Sequence, residues 1–119
     1  MARVLVADDA NIIRLILKRI LEELGHQIVG LAIDGNEAVE MYKLFLPDLV
    51  ILDVQMPGSD GFDALLKIKE INEQAKVILI SSFADAEYIN GAKICGASAY
   101  ILKPITLDKI SDALNIEGF

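Results

Sequence analysis

The sequence predicts an α/β fold in which five strand–helix units build one parallel sheet. Short apolar runs rich in Val, Ile and Leu alternate with longer segments whose apolar residues recur every three or four positions. This alternation is typical of a parallel sheet with helices on both faces. The chain has 119 residues, of which 54% are hydrophobic, and this suits one domain with one core. We therefore expect residues 1–119 to form a single domain without an internal linker.

The first half of the chain contains three predicted strands and two predicted helices. In chain order they are a strand over Arg3–Ala7, a helix over Asn11–Leu24, a strand over Gln27–Ala32, a helix over Gly35–Leu46 and a strand over Leu49–Leu52. The helices are predicted because apolar residues share one face, namely Ile13, Ile16, Leu17, Ile20 and Leu24 in the first and Ala38, Met41, Tyr42 and Phe45 in the second. Gly25 and Pro47 favour the ends of these helices.

The second half continues the same alternation. Its elements are a helix over Phe62–Ile71, a strand over Val77–Ile80, a helix over Asp85–Ile94, a strand over Ser98–Leu102 and a helix over Leu107–Asn115. Gly96 favours the end of the fourth helix. In the last helix, Leu107, Ile110 and Leu114 are expected to face inward.

Composition and charge exclude several classes of function. The net charge of −7 opposes binding to nucleic acid or to a membrane surface, since both favour a basic footprint. Cys95 is the single cysteine, so no internal disulfide can form, and this indicates a reducing compartment. No apolar run approaches the length of a membrane span, and the first apolar stretch is too short for a signal peptide. We expect a cytoplasmic protein that binds neither nucleic acid nor membrane through this domain.

Polar residues stand at the carboxyl ends of four predicted strands. They are Asp8 and Asp9 after the first strand, Asp53 after the third, Ser81 after the fourth and Lys103 after the fifth. Because the carboxyl ends of parallel strands share one edge, these side chains should converge on a crevice where strand order reverses.

Each of these residues also has an ordinary structural interpretation. Asp8 or Asp9 could cap the first helix, and Asp53 could belong to a turn. A lysine such as Lys103 is more often solvated. However, Asp53 follows the apolar run Leu49–Leu52, where burial of a carboxylate is costly. The convergence of all these residues on one edge favours a site.

The chemistry of such a site points to phosphoryl transfer. Three neighbouring carboxylates repel one another, and a divalent cation such as Mg²⁺ removes that conflict with few protein ligands. Asp53 could then act as a nucleophile toward phosphorus, with charge stabilised by Lys103 and a hydrogen bond from Ser81. No residue is evidently placed to activate water against the acyl phosphate, so the site is expected to hold phosphate for a time.

Five short motifs carry a resemblance to a known family. They are Val6-Ala7-Asp8-Asp9, Leu52-Asp53-Val54-Gln55-Met56-Pro57-Gly58-Ser59-Asp60-Gly61, Ile80-Ser81-Ser82, Gly96-Ala97 and Lys103-Pro104. In this order and spacing the chain resembles the receiver domains of two-component response regulators, chemotaxis regulators among them. The resemblance covers about residues 3–115. It implies a flavodoxin-like (βα)5 doubly wound parallel sheet with strand order 2-1-3-4-5.

The resemblance also implies the roles of individual residues. Asp53 would be the phosphoacceptor, and Asp8, Asp9, Asp53 and the main-chain carbonyl of Gln55 would hold Mg²⁺, with Mn²⁺ as an alternative ion. The remaining implied roles belong to Ser81 and Lys103, which would contact the phosphoryl group, to Tyr100 as the switch aromatic and to Pro104 after a cis peptide bond.

The resemblance implies partners as well. A sensor histidine kinase or a histidine phosphotransfer protein would donate the phosphoryl group. The signal would leave through the face made by the fourth helix, fifth strand and fifth helix, toward an output protein or a C-terminal effector domain. The domain would be a switch and no enzyme beyond its own phosphorylation and slow dephosphorylation. An apolar Phe83 near the phosphoryl group would hinder attacking water.

Three alternative functions remain open at this point. A haloacid-dehalogenase-type phosphoaspartate hydrolase needs an acid two residues after the nucleophile, where this chain has Gln55. A flavin- or nucleotide-binding module would need a phosphate loop after the first strand, where this chain has Asp8 and Asp9. The third alternative is a receiver that belongs to a longer regulator.

Overall fold

The computed structural model describes residues 1–58 and 60–119 and contains one five-stranded parallel sheet. The strands are β1 (Arg3–Ala7), β2 (Gln27–Ala32), β3 (Leu49–Asp53), β4 (Val77–Ser81) and β5 (Ala99–Leu102). Their order is β2-β1-β3-β4-β5, and every neighbouring pair is parallel. The predicted flavodoxin-like topology is therefore confirmed.

One helix follows each strand. The helices are α1 (Asn11–Glu23), α2 (Gly35–Phe45), α3 (Gly61–Ile71), α4 (Ala86–Ile94) and α5 (Leu107–Ile116). Every predicted element is present, and each end lies within one residue of its predicted position. Gly25 and Gly96 follow α1 and α4 with φ of 88° and 92°, which confirms them as the residues that end these helices.

Side-chain caps fix where most of the helices begin. The side chains of Asp34, Asp60 and Thr106 accept hydrogen bonds from the third residue of α2, α3 and α5, respectively. The residue that caps α1 is Ala10, which has no polar side chain, so neither Asp8 nor Asp9 is the N-cap. Instead, the Asp8 side chain accepts a hydrogen bond from the backbone N–H of Ala10 at 2.9 Å. This leaves the second oxygen of Asp8 available to the carboxyl edge of the sheet.

Two apolar clusters, one on each face of the sheet, form the core. One lies beneath α2, α3 and α4, and the other lies beneath α1 and α5. β1, β3 and β4 are almost wholly buried because both of their faces are covered. Among the described residues, no helix is both long enough and apolar enough to cross a membrane.

Two details of the predicted core were wrong. Leu107 is 39% exposed because it is the first residue of α5, at the end of the helix, whereas Ile110 and Leu114 are buried as predicted. In α1 the buried residues are Leu17 and Leu21, and Leu21 was not predicted. The buried face of α1 is therefore rotated slightly away from Ile16, which does not pack against the core cluster.

Candidate functional site

The polar residues predicted at the strand ends meet at the carboxyl edge of the sheet. Asp53 ends β3 and Ser81 ends β4, while Asp8 and Lys103 directly follow β1 and β5. Above them lies an open pocket of about 600 Å³. Its lining consists of Asp9, Asp53, Val54, Gln55, Met56, Pro57, Asp60, Phe62, Ser81, Ser82, Tyr88 and Lys103. The pocket lies beside the neighbouring strands β1 and β3, where the direction of winding reverses, which is the usual ligand position in such sheets.

Three carboxylates form an acidic cluster in this pocket. One oxygen each from Asp8, Asp9 and Asp53 lies within 4.8 Å of the others. Asp8 and Asp53 are buried, whereas Asp9 is exposed at the pocket mouth. Among the residues that the structure describes, Asp8 Oδ2 is a buried oxygen without a hydrogen-bond donor. A hard divalent cation would satisfy this oxygen and neutralise the cluster, so the donor set fits such an ion.

Lys103 is the positive charge next to this cluster. Its Nζ lies 3.2 Å from Asp8 Oδ2 and 3.3 Å from Asp53 Oδ2, and it donates a hydrogen bond to Asp53. The contact with Asp8 is an ion pair. Burial alone would lower the pKa of Lys103, but Asp53 and Asp8 outweigh it and raise that pKa. Lys103 therefore remains an ammonium in the pocket.

The electrostatics of Asp53 reflect its position below the surface. Burial of the carboxyl group raises its pKa from 3.8 to about 6, and repulsion by Asp8 adds to the effect. The ammonium of Lys103 and the backbone N–H of Gln55, which donates to Asp53 Oδ1 at 3.3 Å, act in the opposite direction. Asp53 is thus still ionised at neutral pH and carries a charge that burial makes unfavourable.

The loop after Asp53 is held tightly against the start of α3. The backbone N–H of Gly61 donates to the carbonyl oxygen of Val54 at 2.9 Å. A Cβ atom at Gly61 would overlap the backbone carbonyl of Asp53 and lie 2.9 Å from the Cα of Val54. Only glycine allows this approach. The sequence showed Gly61 merely as part of a turn before a helix, so this role was not predicted.

Ser81 and Tyr100 are connected through the backbone of Phe83. Ser81 is buried, and its Oγ accepts a hydrogen bond from the N–H of Phe83 at 2.9 Å. The hydroxyl of Tyr100 donates to the carbonyl oxygen of Phe83 at 2.7 Å. Tyr100 is half-buried and packs against the cluster beneath α2, α3 and α4, so its side chain already points inward. The Lys103–Pro104 peptide bond is cis.

Three aromatic side chains lie at or next to the pocket. The ring of Phe83 stacks on Tyr88, with centroids 4.6 Å apart. The aromatic rings that do line the pocket are Phe62, from the first turn of α3, and Tyr88, from the first turn of α4. Phe83 thus lies directly behind Tyr88 and next to Ser81, and the hypothesis that it hinders attacking water stays a prediction. No sequence motif indicated Phe62 or Tyr88.

Fold and site together define a doubly wound α/β protein with an acidic, cation-compatible pocket, and comparison with known proteins identifies its family. The response regulator receiver domain family model matches residues 4–115. Chemotaxis protein CheY of Bacillus subtilis is 40% identical over 113 residues, which cover 95% of this chain and 94% of CheY. The chain belongs to the response regulator receiver domain family and is a phosphorylation-dependent switch of two-component signalling, not a classical enzyme.

Two further relatives show the range of this similarity. Transcriptional regulatory protein PdtaR of Mycobacterium tuberculosis is 40% identical over 114 residues, which cover 96% of this chain but 55% of PdtaR. A chain in the crystal structure of the CheX-CheY-BeF3-Mg²⁺ complex from Borrelia burgdorferi matches with a TM-score of 0.95 and 33% identity, over 98% of this chain and 89% of that chain. The comparisons give no support to the phosphoaspartate hydrolase alternative.

Proposed function

We propose that Asp53 accepts a phosphoryl group from a phosphohistidine in a step that depends on a divalent cation. The observation that carries this proposal is the convergence of Asp53 with Asp8, Lys103 and Ser81 at the carboxyl edge of the sheet, below the pocket. Asp53 is the carboxylate best suited to attack, because it is buried at the end of β3 and still lines the pocket. Its pKa of about 6 leaves it largely ionised at pH 7 while keeping it more basic than an ordinary aspartate.

We propose Mg²⁺, or Mn²⁺ in its place, as the resident cation. Asp8, Asp9, Asp53 and the main-chain carbonyl of Gln55 would hold it, and the three carboxylates, whose negative charge Lys103 alone does not balance, support this assignment. When bound, the cation would supply positive charge that offsets the negative charge of the transferring group. The similar Borrelia burgdorferi structure is of a complex that contains Mg²⁺ and BeF3, which agrees with this proposal.

The protein's own groups would carry the remaining chemistry. A carboxylate oxygen of Asp53 attacks phosphorus, and the leaving imidazole departs on the opposite side, toward the pocket mouth. Lys103, now paired with Asp53 and Asp8, lies close enough to pair with a phosphoryl oxygen. The Ser81 hydroxyl can donate to another phosphoryl oxygen while its own oxygen still accepts from Phe83.

The same contacts suggest how phosphorylation changes the surface. Movement of Ser81 toward a phosphoryl group would pull on the backbone of Phe83, to which the Tyr100 hydroxyl is bound. Phosphorylation would therefore bias the position of Tyr100 and of the face made by α4, β5 and α5. We propose this face as the contact for an output protein or an effector domain.

The proposed partners follow from this chemistry. The phosphoryl donor would be a sensor histidine kinase or a histidine phosphotransfer protein. The proposed compartment is the cytoplasm, since the single thiol of Cys95 suits reducing conditions. Residues 1–119 would act as one receiver domain.

Treatment with acetyl phosphate tests the proposal. With Mg²⁺ the wild-type protein should gain the mass of one phosphoryl group, and hydroxylamine should remove it. The gain should disappear with EDTA and in Asp53→Asn, whereas Asp112→Asn, an exposed substitution in α5 of equal charge change, should behave as wild type. Phosphorylation of Asp53→Asn at the wild-type level would refute the assignment of the acceptor.

A further inference from the structure

We propose that Tyr88 and Phe62 form an aromatic wall that selects phosphoryl donors carrying a flat ring over donors without one. This inference rests on the proposed function, because it concerns the leaving group of the same transfer. Both rings line the acceptor pocket, yet neither can supply charge or a nucleophile to phosphorus. Their contribution must therefore be to another part of the donor.

The wall is held rigidly from behind. The Tyr88 ring stacks on Phe83 with centroids 4.6 Å apart and an angle of 18° between the rings. Phe62 lies beside Tyr88 at 6.3 Å and a tilt of 34°. The backbone of Phe83 is held by two hydrogen bonds. Its N–H donates to Ser81 Oγ, and its carbonyl oxygen accepts from the hydroxyl of Tyr100. A donor ring would thus meet an aromatic surface that is already ordered, with little further loss of side-chain entropy.

The geometry of transfer brings the leaving group to this wall. Asp53 is buried, so an in-line displacement sends the leaving group outward through the pocket, whose lining includes Phe62 of α3 and Tyr88 of α4. With phosphoimidazole, the new P–O bond forms to Asp53 and the P–N bond breaks. Its electron pair stays on the ring, which departs as neutral imidazole because the other nitrogen carries a proton. With acetyl phosphate the P–O bond to acetate breaks, and no ring is released.

Contact with an aromatic ring should favour the first donor. Aromatic pairs and rings that face a cationic imidazole each contribute modest stabilisation, and removal of one ring should therefore change the relative rate about 2- to 10-fold. The acidic cluster also favours phosphoimidazole, which is the less anionic donor, but its charge is the same in all variants of Tyr88 and Phe62. A change of the ratio between these variants therefore reports on the wall.

The experiment compares the two donors on the whole chain. Rate constants for phosphorylation by phosphoimidazole and by acetyl phosphate are measured with Mg²⁺ by intact mass, and the ratio of the two is the result. We expect Tyr88→Ala to lower this ratio about 2- to 10-fold, while Tyr88→Phe keeps most of it. Asn90→Ala, an exposed change on the same helix, is the matched control and should keep the wild-type ratio.

A second variant covers the case in which Tyr88→Ala does not fold. Phe62→Leu keeps an apolar side chain of similar size at the half-buried position but removes the ring, and it should lower the ratio in the same direction. A ratio that stays within twofold of wild type in the folded variants overturns the inference. Failure of wild type to react with either donor would instead refute the proposed acceptor function.

Discussion

The buried charge of Asp53, the proposed acceptor, is expected to lower the stability of the fold in the absence of a cation. Asp53→Asn keeps the shape of the side chain and removes its charge, so we expect the variant to be more stable than wild type in EDTA. The pKa of Asp53 is 3.8 when exposed and about 6 in the fold, and each unit corresponds to about 1.4 kcal/mol. The upper limit of the gain is therefore about 3 kcal/mol above pH 7.

The sign of the pH dependence follows from the raised pKa. As the pH rises above 3.8, the unfolded chain loses this proton first, so the folded state loses stability until the pH passes about 6. The advantage of Asp53→Asn should fall from about 3 kcal/mol at pH 7.5 to about 1 kcal/mol at pH 4.5. Both figures already include the hydrogen bond and the attraction from Lys103, because these contacts stabilise the ionised form and are part of the net pKa shift.

Urea denaturation in EDTA at these two pH values measures the effect. Asp112→Asn, which removes an exposed charge in α5, is the control and should differ little from wild type at either pH. Adding Mg²⁺ should reduce the stability difference between Asp53→Asn and wild type, because the cation stabilises the folded wild type, which keeps all of its proposed ligands. If Asp53→Asn is less stable than wild type at pH 7.5, or if its advantage does not shrink at pH 4.5, the electrostatic reasoning fails.

Three further predictions concern the backbone and the switch contacts. Gly61→Ala should lower the free energy of unfolding by about 2 kcal/mol or more, because its Cβ would overlap the Asp53 carbonyl. Gly91→Ala in α4 is the matched control, since its Cβ would meet Phe62 at an ordinary 3.7 Å. It should raise the free energy of unfolding by up to about 1 kcal/mol. Equal effects of these two alanines in urea denaturation would contradict this account. Leu46→Asn should raise the free energy of unfolding by about 0.5–1 kcal/mol and the melting temperature with it, because Leu46 has a left-handed φ of 45° that asparagine adopts more readily. A lower melting temperature would argue against strain there. Tyr100→Phe should lower the free energy of unfolding by about 1 kcal/mol, because the hydrogen bond to the Phe83 carbonyl is lost. Amide hydrogen exchange should increase in the loop from Ser82 to Asp85. Unchanged exchange would show that this hydrogen bond does not order the loop.

The sequence predicted the fold well because its periodic patterns are local and strong. Fully buried runs such as Leu49–Leu52 indicate central parallel strands, and the glycine after α1 indicates its end, without knowledge of any distant contact. Leu107 was wrongly predicted to be buried. It falls on the apolar face of α5, but it is the first residue of the helix and lies beyond the part of that face that packs on the sheet.

The site was predictable to the extent that it depends on strand ends. The topology alone brings Asp8, Asp53 and Lys103 to one edge, so no distance had to be known. By contrast, Phe62 and Tyr88 reach the pocket from the first turns of two helices whose tilt no local pattern reveals. The clearance at Gly61 likewise depends on how closely α3 approaches β3, which only three-dimensional packing sets.

The nearly equal distances from Lys103 to Asp8 and Asp53 affect the energetic course of the switch. The ammonium of Lys103 lies 3.2 Å from the Asp8 carboxylate and 3.3 Å from the Asp53 carboxylate, so both carboxylates share it as an ion-pair partner. In the proposed transfer, negative charge would pass from Asp53 to a bound phosphoryl group, and Lys103 could follow it while keeping Asp8 as a partner. A counter-charge that is in place before the charge arrives would lower the reorganisation energy of that transfer. Arginine, with its planar fork and longer reach, would lack this freedom, and Lys103→Arg is for that reason not a conservative change.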